Sequence, residues 1–131
     1  MAEDHVVVRA TKENVGTLTL NRPDKFNCLS RSVITAIAKG IRDFEQDPAV
    51  RSVLIRGEGK HFCTGADLEE VSGLREHPGA MLEFTTTFHE VLRTIERSPL
   101  PVVVAVHGLC LAGGLELILA CDVCFAGESA R

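Results

Sequence analysis

The run Pro101-Val-Val-Val-Ala-Val106 constrains the fold more than any other stretch of this chain. A half-solvated strand would alternate polar and apolar residues, and six residues are too few for an ordinary helix. The run therefore predicts a strand covered on both faces, the pattern of a parallel sheet flanked by helices. What precedes it agrees. From Pro78 to Arg97, the residues Met81, Phe84, Phe88, Val91, Leu92 and Ile95 recur at helical spacing, which predicts a long helix with these side chains in the core, stopping before Pro99. A similar unit lies upstream. Val33, Ile34, Ile37, Ala38, Ile41 and Phe44 share one helical face between Ser30, a predicted N-cap, and the stop at Asp47-Pro48, and the short strand Ser52 to Arg56 follows. Strand–helix–strand units of this length join parallel neighbours, so the fold class is α/β.

The ends of the chain fit the same scheme. Two strands, His5 to Arg9 and Val15 to Leu20, are predicted to pair across the polar Thr11-Lys12-Glu13-Asn14, and Pro23 ends the second. A helix from about Gly113 to Ala120 and a strand from Asp122 to Ala126 are predicted to close the chain. No repeat or linker interrupts it, so residues 1–131 read as one continuous unit.

Composition narrows the function. With 45% hydrophobic residues the chain can build a core, and its net charge of −4 lacks the basic footprint of a nucleic-acid or anionic-membrane binder. No apolar run approaches the ~20 residues needed to span a bilayer. Glu3 and Asp4 precede the first valines, the wrong charge order for a signal or transit peptide, so a cytoplasmic location is expected, with the mitochondrial matrix open if the N-terminus is processed. The five cysteines are scattered among apolar neighbours and predict buried, reduced thiols. Cys121-x-x-Cys124 has no second pair or adjacent histidine, so no metal site is predicted.

Two segments share a plan in which a strand leads through small residues into a helix: Gly59-Lys-His-Phe-Cys-Thr-Gly-Ala-Asp-Leu68 and Gly108-Leu-Cys-Leu-Ala-Gly-Gly-Leu-Glu116. In each, small residues (Gly65-Ala66 and Gly113-Gly114) stand where free backbone N–H groups project from a helix N-terminus, a geometry that stabilises developing negative charge. Two such amides facing each other would form an oxyanion hole. A phosphate loop is the rival reading, but Gly114 and Leu115 occupy the positions where it requires Lys and Ser/Thr. Glu116 lies in the first turn of the second helix among Leu115, Leu117 and Ile118, neighbours that predict burial. A buried carboxyl retains its proton to higher pH, which would suit Glu116 to acid–base work beside an oxyanion hole. Asp67 is predicted to serve as a helix N-terminal residue and Asp122 as a strand anchor. His61, His77, His89 and His107 show no metal spacing and are assigned surface or local hydrogen-bonding roles.

These residues resemble the enoyl-CoA hydratase/isomerase, or crotonase, superfamily. The resemblance rests on Leu20-Asn-Arg-Pro-Asp-Lys-Phe-Asn-Cys-Leu-Ser30, on Phe62-Cys-Thr-Gly-Ala-Asp-Leu68, and on Ala105-Val-His-Gly-Leu-Cys-Leu-Ala-Gly-Gly-Leu-Glu-Leu117 with Ala120-Cys-Asp122. It implies a crotonase-like ββα spiral core in which the amides of Ala66 and Gly113 bind the thioester oxygen of an acyl-CoA, with Glu116 as one catalytic glutamate. It implies further that Lys25, Phe26 and Cys28, together with Ala66, Asp67 and Leu68, contact the coenzyme A moiety of the substrate, largely through backbone. No cofactor beyond the CoA thioester substrate is implied, and homo-oligomers, trimers or pairs of trimers, are the expected assembly.

Departures from the family pattern leave alternatives open. Ala112 replaces a third glycine, a change that ordinary dihedral angles would tolerate. A second hydratase glutamate would fall beyond Arg131, Glu128 standing too near Glu116 for that role, and the C-terminal helices that close the family's acyl pocket are not in the sequence. The chain is thus expected to be an N-terminal portion of such a domain, with an incomplete core and uncovered apolar surface. Water addition to an enoyl-CoA is the main functional expectation. A non-catalytic CoA-binding or association form is one alternative; double-bond isomerisation or other thioester chemistry on the same oxyanion hole is another.

Overall fold

The computed structural model describes residues 5–131, so the acidic residues Glu3 and Asp4 lie outside it. Its strands are β1 (Val7–Lys12), β2 (Val15–Leu20), β3 (Ser52–Gly57), β4 (Val102–Val106) and β5 (Val123–Ala126). Its helices are α1 (Arg31–Gln46), α2 (Leu68–Gly73), α3 (Pro78–Arg97) and α4 (Gly113–Leu119). The strands form one sheet in the order β1-β2-β3-β4-β5, antiparallel between β1 and β2 and parallel thereafter.

The opening hairpin departs from expectation in its boundary. Its turn is only Glu13-Asn14, with φ of 52° and 67°, and two positive φ values in a two-residue loop match the right-handed twist of the strands. Pairing therefore begins at Lys12↔Val15 and runs to Val7↔Leu20, which carries β1 through Lys12 rather than ending it at Arg9. α1 behaves as its periodicity predicts. Ser30 Oγ accepts the Val33 amide at its N-terminus, and Val33, Ile34, Ile37, Ala38, Ile41 and Phe44 are buried. The helix lies on β1 and β2 and against α3. Burial of each such aliphatic side chain contributes about 1.5–3 kcal/mol, so this face supplies much of the core.

The sheet is not covered equally on its two faces. Val102, Val104 and Val106 of β4 are buried, whereas Val103 and Ala105 are half-exposed, so the double coverage predicted from the valine run holds for one face only. Residues in register with Val103, namely Thr17, Leu54 and Val123, are half-exposed or exposed as well. Coverage also falls toward the last strand. All of β5 is exposed, and Leu119 and Phe125 are 73% and 66% accessible, the uncovered apolar surface that the sequence led one to expect. α3 divides in the same way: Phe84, Val91 and Ile95 are buried, while Met81, Phe88 and Leu92 are only partly so. Asp122 anchors β5 to β4 as expected, its carboxylate accepting the Val102 amide at 2.7 Å. No helix among the described residues is long and apolar enough to cross a membrane.

Candidate active site

The loops that follow β3 and β4 lie side by side and are joined by backbone bonds. The Phe62 amide donates to His107 O (2.8 Å), Cys63 N to Leu109 O (3.2 Å), and Leu111 N to Cys63 O (3.0 Å). Leu29, just before α1, pairs with the first loop from the other side: its amide donates to Gly65 O (2.7 Å) and its carbonyl accepts from Asp67 N (3.0 Å). This ladder passes over the amide of Ala66. The amide of Gly113, at the start of α4, is one of the donors that no intrahelical carbonyl can reach. Among the described residues neither N–H has a hydrogen-bond partner. The two come close together: a Cβ placed on Gly113 would stand 3.6 Å from Ala66 N, and one on Gly65 would stand 3.2 Å from Gly113 N.

Steric limits explain why small residues occupy these positions. A Cβ on Gly114 would lie 2.4 Å from Cys63 O, so only glycine lets α4 begin against the first loop. Ala112 has φ 48° and ψ −118°, and Gly114 N donates to Leu111 O at 2.8 Å. That is the i+1 position of a type II′ turn, where glycine is favoured. The expectation that Ala112 would sit at ordinary dihedral angles is thus overturned: Gly113 can turn its amide outward only if the preceding residue adopts this conformation.

Asp67 caps α2, its Oδ1 accepting the amides of Glu69 (3.1 Å) and Glu70 (3.2 Å), while its Oδ2 pairs with Arg22 Nη1 at 3.2 Å. Desolvation acts to raise this carboxyl, but the Glu70 amide and the Arg22 guanidinium outweigh it and hold Asp67 below the ordinary carboxylate range. The same guanidinium donates to Cys28 O (3.4 Å), tying the turn at residues 23–28 to the start of α2. Of the five cysteines expected to be buried only Cys63 is fully so, while Cys28, Cys110 and Cys121 are half-buried. Cys63 is buried, and burial pushes its thiol up to about 12; Cys121 is also pushed up to about 12, first by burial. Cys124, by contrast, is exposed, as is the whole of β5.

A cavity of about 280 Å³ opens beside the two amides. It is lined by Leu29, Ala66, Ala112, Gly113 and Glu116 together with Phe84, Thr85, Phe88 and His89 of α3. It is mostly apolar with a few convergent polar groups, as small-molecule sites are. Glu116 does reach this cavity, but it is exposed rather than buried, since its neighbours Leu115 and Leu119 are themselves 46% and 73% accessible. The burial expected for this carboxyl is therefore not found. The α3 residues were assigned to the core or the surface on sequence grounds. The signal that would have placed them here is the doublet Phe84-Thr85 repeated four residues later as Phe88-His89, which turns two polar side chains toward the same side as two rings.

Of the residues expected to contact coenzyme A, Lys25 and Asp67 line a second, more polar cavity of about 460 Å³ together with Arg22, Ser30 and Glu70. Phe26 and Leu68 lie at the surface, 51% and 79% accessible, and Cys28 is half-buried. The larger cavity carries charges of both signs and none of the converging amides, so the smaller one is the candidate reaction site.

A parallel sheet whose successive strand ends deliver paired amides to one apolar cavity is a crotonase-type fold, and solved structures agree. An enoyl-CoA hydratase/carnithine racemase from Magnetospirillum magneticum superposes with a TM-score of 0.90 at 32% identity, over 95% of this chain and 47% of that one. The chain belongs to the enoyl-CoA hydratase/isomerase family, whose sequence profile matches residues 10–131. It is 35% identical to mouse mitochondrial methylglutaconyl-CoA hydratase, over 98% of this chain and 42% of that protein. It is 30% identical to a peroxisomal Delta(3,5)-Delta(2,4)-dienoyl-CoA isomerase of Arabidopsis thaliana, over 95% of this chain and 49% of that protein. The chain thus spans about half the length of the curated relatives it matches.

Proposed function

We propose that this chain carries the oxyanion-stabilising part of an enoyl-CoA hydratase-type site. One observation carries the reading: the two unpaired amides, Ala66 and Gly113, converge at a cavity that Glu116 also lines. A thioester carbonyl seated there accepts both N–H groups, and these bonds strengthen as the oxygen gains enolate charge, so they favour the transition state over the ground state. Water adds to the β-carbon of the enoyl group, Glu116 takes one of its protons, and the same carboxyl returns that proton to the α-carbon of the enolate to give the 3-hydroxyacyl thioester. Phe84 and Phe88 supply an apolar wall for the acyl chain. Lys25, Phe26 and Cys28, with Asp67 and Leu68, are proposed to meet the coenzyme A part of the substrate. The hydratase name of a relative at 35% identity supports this choice of reaction.

The test is Glu116→Gln, which keeps the shape and removes the base. Hydration of crotonyl-CoA should slow by ~10²–10⁴, and a rate like that of the unmodified protein would overturn the assignment. Isomerisation is a second reading, favoured by the dienoyl-CoA isomerase relative. The same two amides would then hold a dienolate formed when a base removes an α-proton, the proton being returned at the γ-carbon, and conversion of a 3-enoyl-CoA without water uptake would reveal it.

A further inference from the structure

We propose that His61 is a positioning residue for the oxyanion loop, its imidazole acting as a hydrogen-bond acceptor that holds the segment from which Gly113 presents its amide. The inference rests on the reading of Gly113 as an oxyanion donor. Its geometric basis is separate. His61 Nδ1 accepts the Leu109 N–H at 3.0 Å, so Nδ1 carries no proton in this arrangement. The bond joins the two loops by a side chain where the backbone ladder offers no acceptor.

The surroundings are built around this contact. The other N–H groups of residues 108–111 are held elsewhere: Gly108 N by Ser129 Oγ (3.1 Å), Cys110 N by Arg131 O (3.0 Å) and Leu111 N by Cys63 O (3.0 Å). Only Leu109 N–H depends on a side chain of the first loop. Gly108 makes room for it, since a Cβ there would stand 2.7 Å from Nδ1. The imidazole cannot easily turn away. Phe26 meets it edge to face, with centroids 5.0 Å apart and planes at 84°, and buried Asn27 holds the His61 carbonyl through Nδ2 at 2.9 Å. Removing the acceptor would leave a part-buried donor unpaired and the loop free to shift, and misplacement of a donor by even an ångström weakens its bond to the developing oxyanion.

Charged and titratable groups on the surrounding elements are few. Glu58 and Lys60 share the His61 loop, with Glu58 directed at Arg56 (3.7 Å). His107, on the strand end opposite, bonds Gly59 O through Nε2 (2.7 Å). Asp24 and Lys25 lie on the turn that carries Phe26, and Arg131 lies behind the loop. A proton on Nδ1 would turn the acceptor into a donor facing Leu109 N–H, so the neutral imidazole is the form that makes this bond.

The experiment compares the full chain with His61→Phe, which removes the acceptor, and His61→Asn, whose side-chain oxygen can replace Nδ1 but does not titrate. Amide hydrogen exchange at Leu109 and steady-state hydration of crotonyl-CoA are measured on each. In His61→Phe, protection of Leu109 should fall about tenfold and kcat should fall ~10–100-fold with little change in KM, and His61→Asn should restore both. On acidification the native protein should lose Leu109 protection and His61→Asn should keep it, because only the imidazole can exchange its acceptor nitrogen for a donor. Undiminished protection in His61→Phe, or equal acid sensitivity in His61→Asn, would overturn the proposal. The pH comparison decides it even if His61→Phe does not fold. If no form hydrates crotonyl-CoA, the functional reading fails, while the exchange data still decide whether His61 clamps the loop.

Discussion

At the first loop-to-helix junction Asp67 caps α2 with its own carboxylate, accepting two amides and pairing with Arg22; at the second, Ala112 caps α4 with no side-chain bond. Glycine takes the positive φ in the first, where Gly65 has 104°, and alanine takes it in the second, where Ala112 has 48°. Each nevertheless leaves a single small-residue amide facing the same cavity. The first junction is fixed by polar side-chain bonds. The second is fixed by contact, with Gly114 against the Cys63 carbonyl and a strained turn ahead of the helix. The backbone N–H is what the two share, and different neighbours aim it in each.

Among changes to the two junctions, the largest effect should come from removing one of the two amides. Gly113→Pro eliminates the donor while keeping a φ suited to the first position of a helix, and Leu29 Cδ1, 3.2 Å from a Cβ there, belongs to a side chain that can yield. Turnover should fall ~10²–10³. Thermal unfolding recorded beside kcat separates a lost donor from a lost fold, and a folded Gly113→Pro protein with unchanged turnover would end the equivalence of the two junctions.

A smaller effect, on stability, should mark the first junction alone. Asp67→Ala removes the α2 cap and should cost about 1–2 kcal/mol, read from urea unfolding. The pH dependence has a definite sign. Although desolvation works against it, the Asp67 carboxyl is held below its ordinary value by the Glu70 amide and Arg22. Its contribution is therefore complete above the unfolded carboxylate pKa and is lost as pH falls through the lowered folded value. The gap between native protein and Asp67→Ala should close in acid. A gap that persisted there would show that the neutral carboxyl caps α2 as well as the charged one.

Elements whose apolar period is unbroken were legible in the sequence: α1 with its Ser30 cap, α3, and the strands β3 and β4. The loops that deliver Ala66 and Gly113 were legible too, because a helix start with small residues has few alternatives. Glu116 was misjudged as buried. Periodicity reports which residues share a helical face but not whether anything lies against that face, and Leu115 and Leu119 are apolar yet exposed. The same gap let the valine run overstate the coverage of β4. His61, His89 and the cavity side of α3 were not legible because their partners come from other elements, Leu109 in one case and the amide loops in the other. No local pattern encodes such a contact.

The smallest predicted effect concerns Ala112, and it makes the second junction resemble the first. A non-glycine residue at φ 48° and ψ −118° costs about 1–3 kcal/mol in backbone strain. Glycine in its place removes that strain but loses roughly 0.5–1 kcal/mol to the greater freedom of the unfolded chain. The balance favours Ala112→Gly by about 1 kcal/mol, a gain visible as a rise in Tm. The strain has no outlet in the folded loop, because Cys63 bonds on either side of residue 110 and the Gly114 amide closes the turn on Leu111. If Ala112→Gly were instead less stable, the methyl group would have to contribute more through its contact with the cavity wall than the turn loses by bending around it.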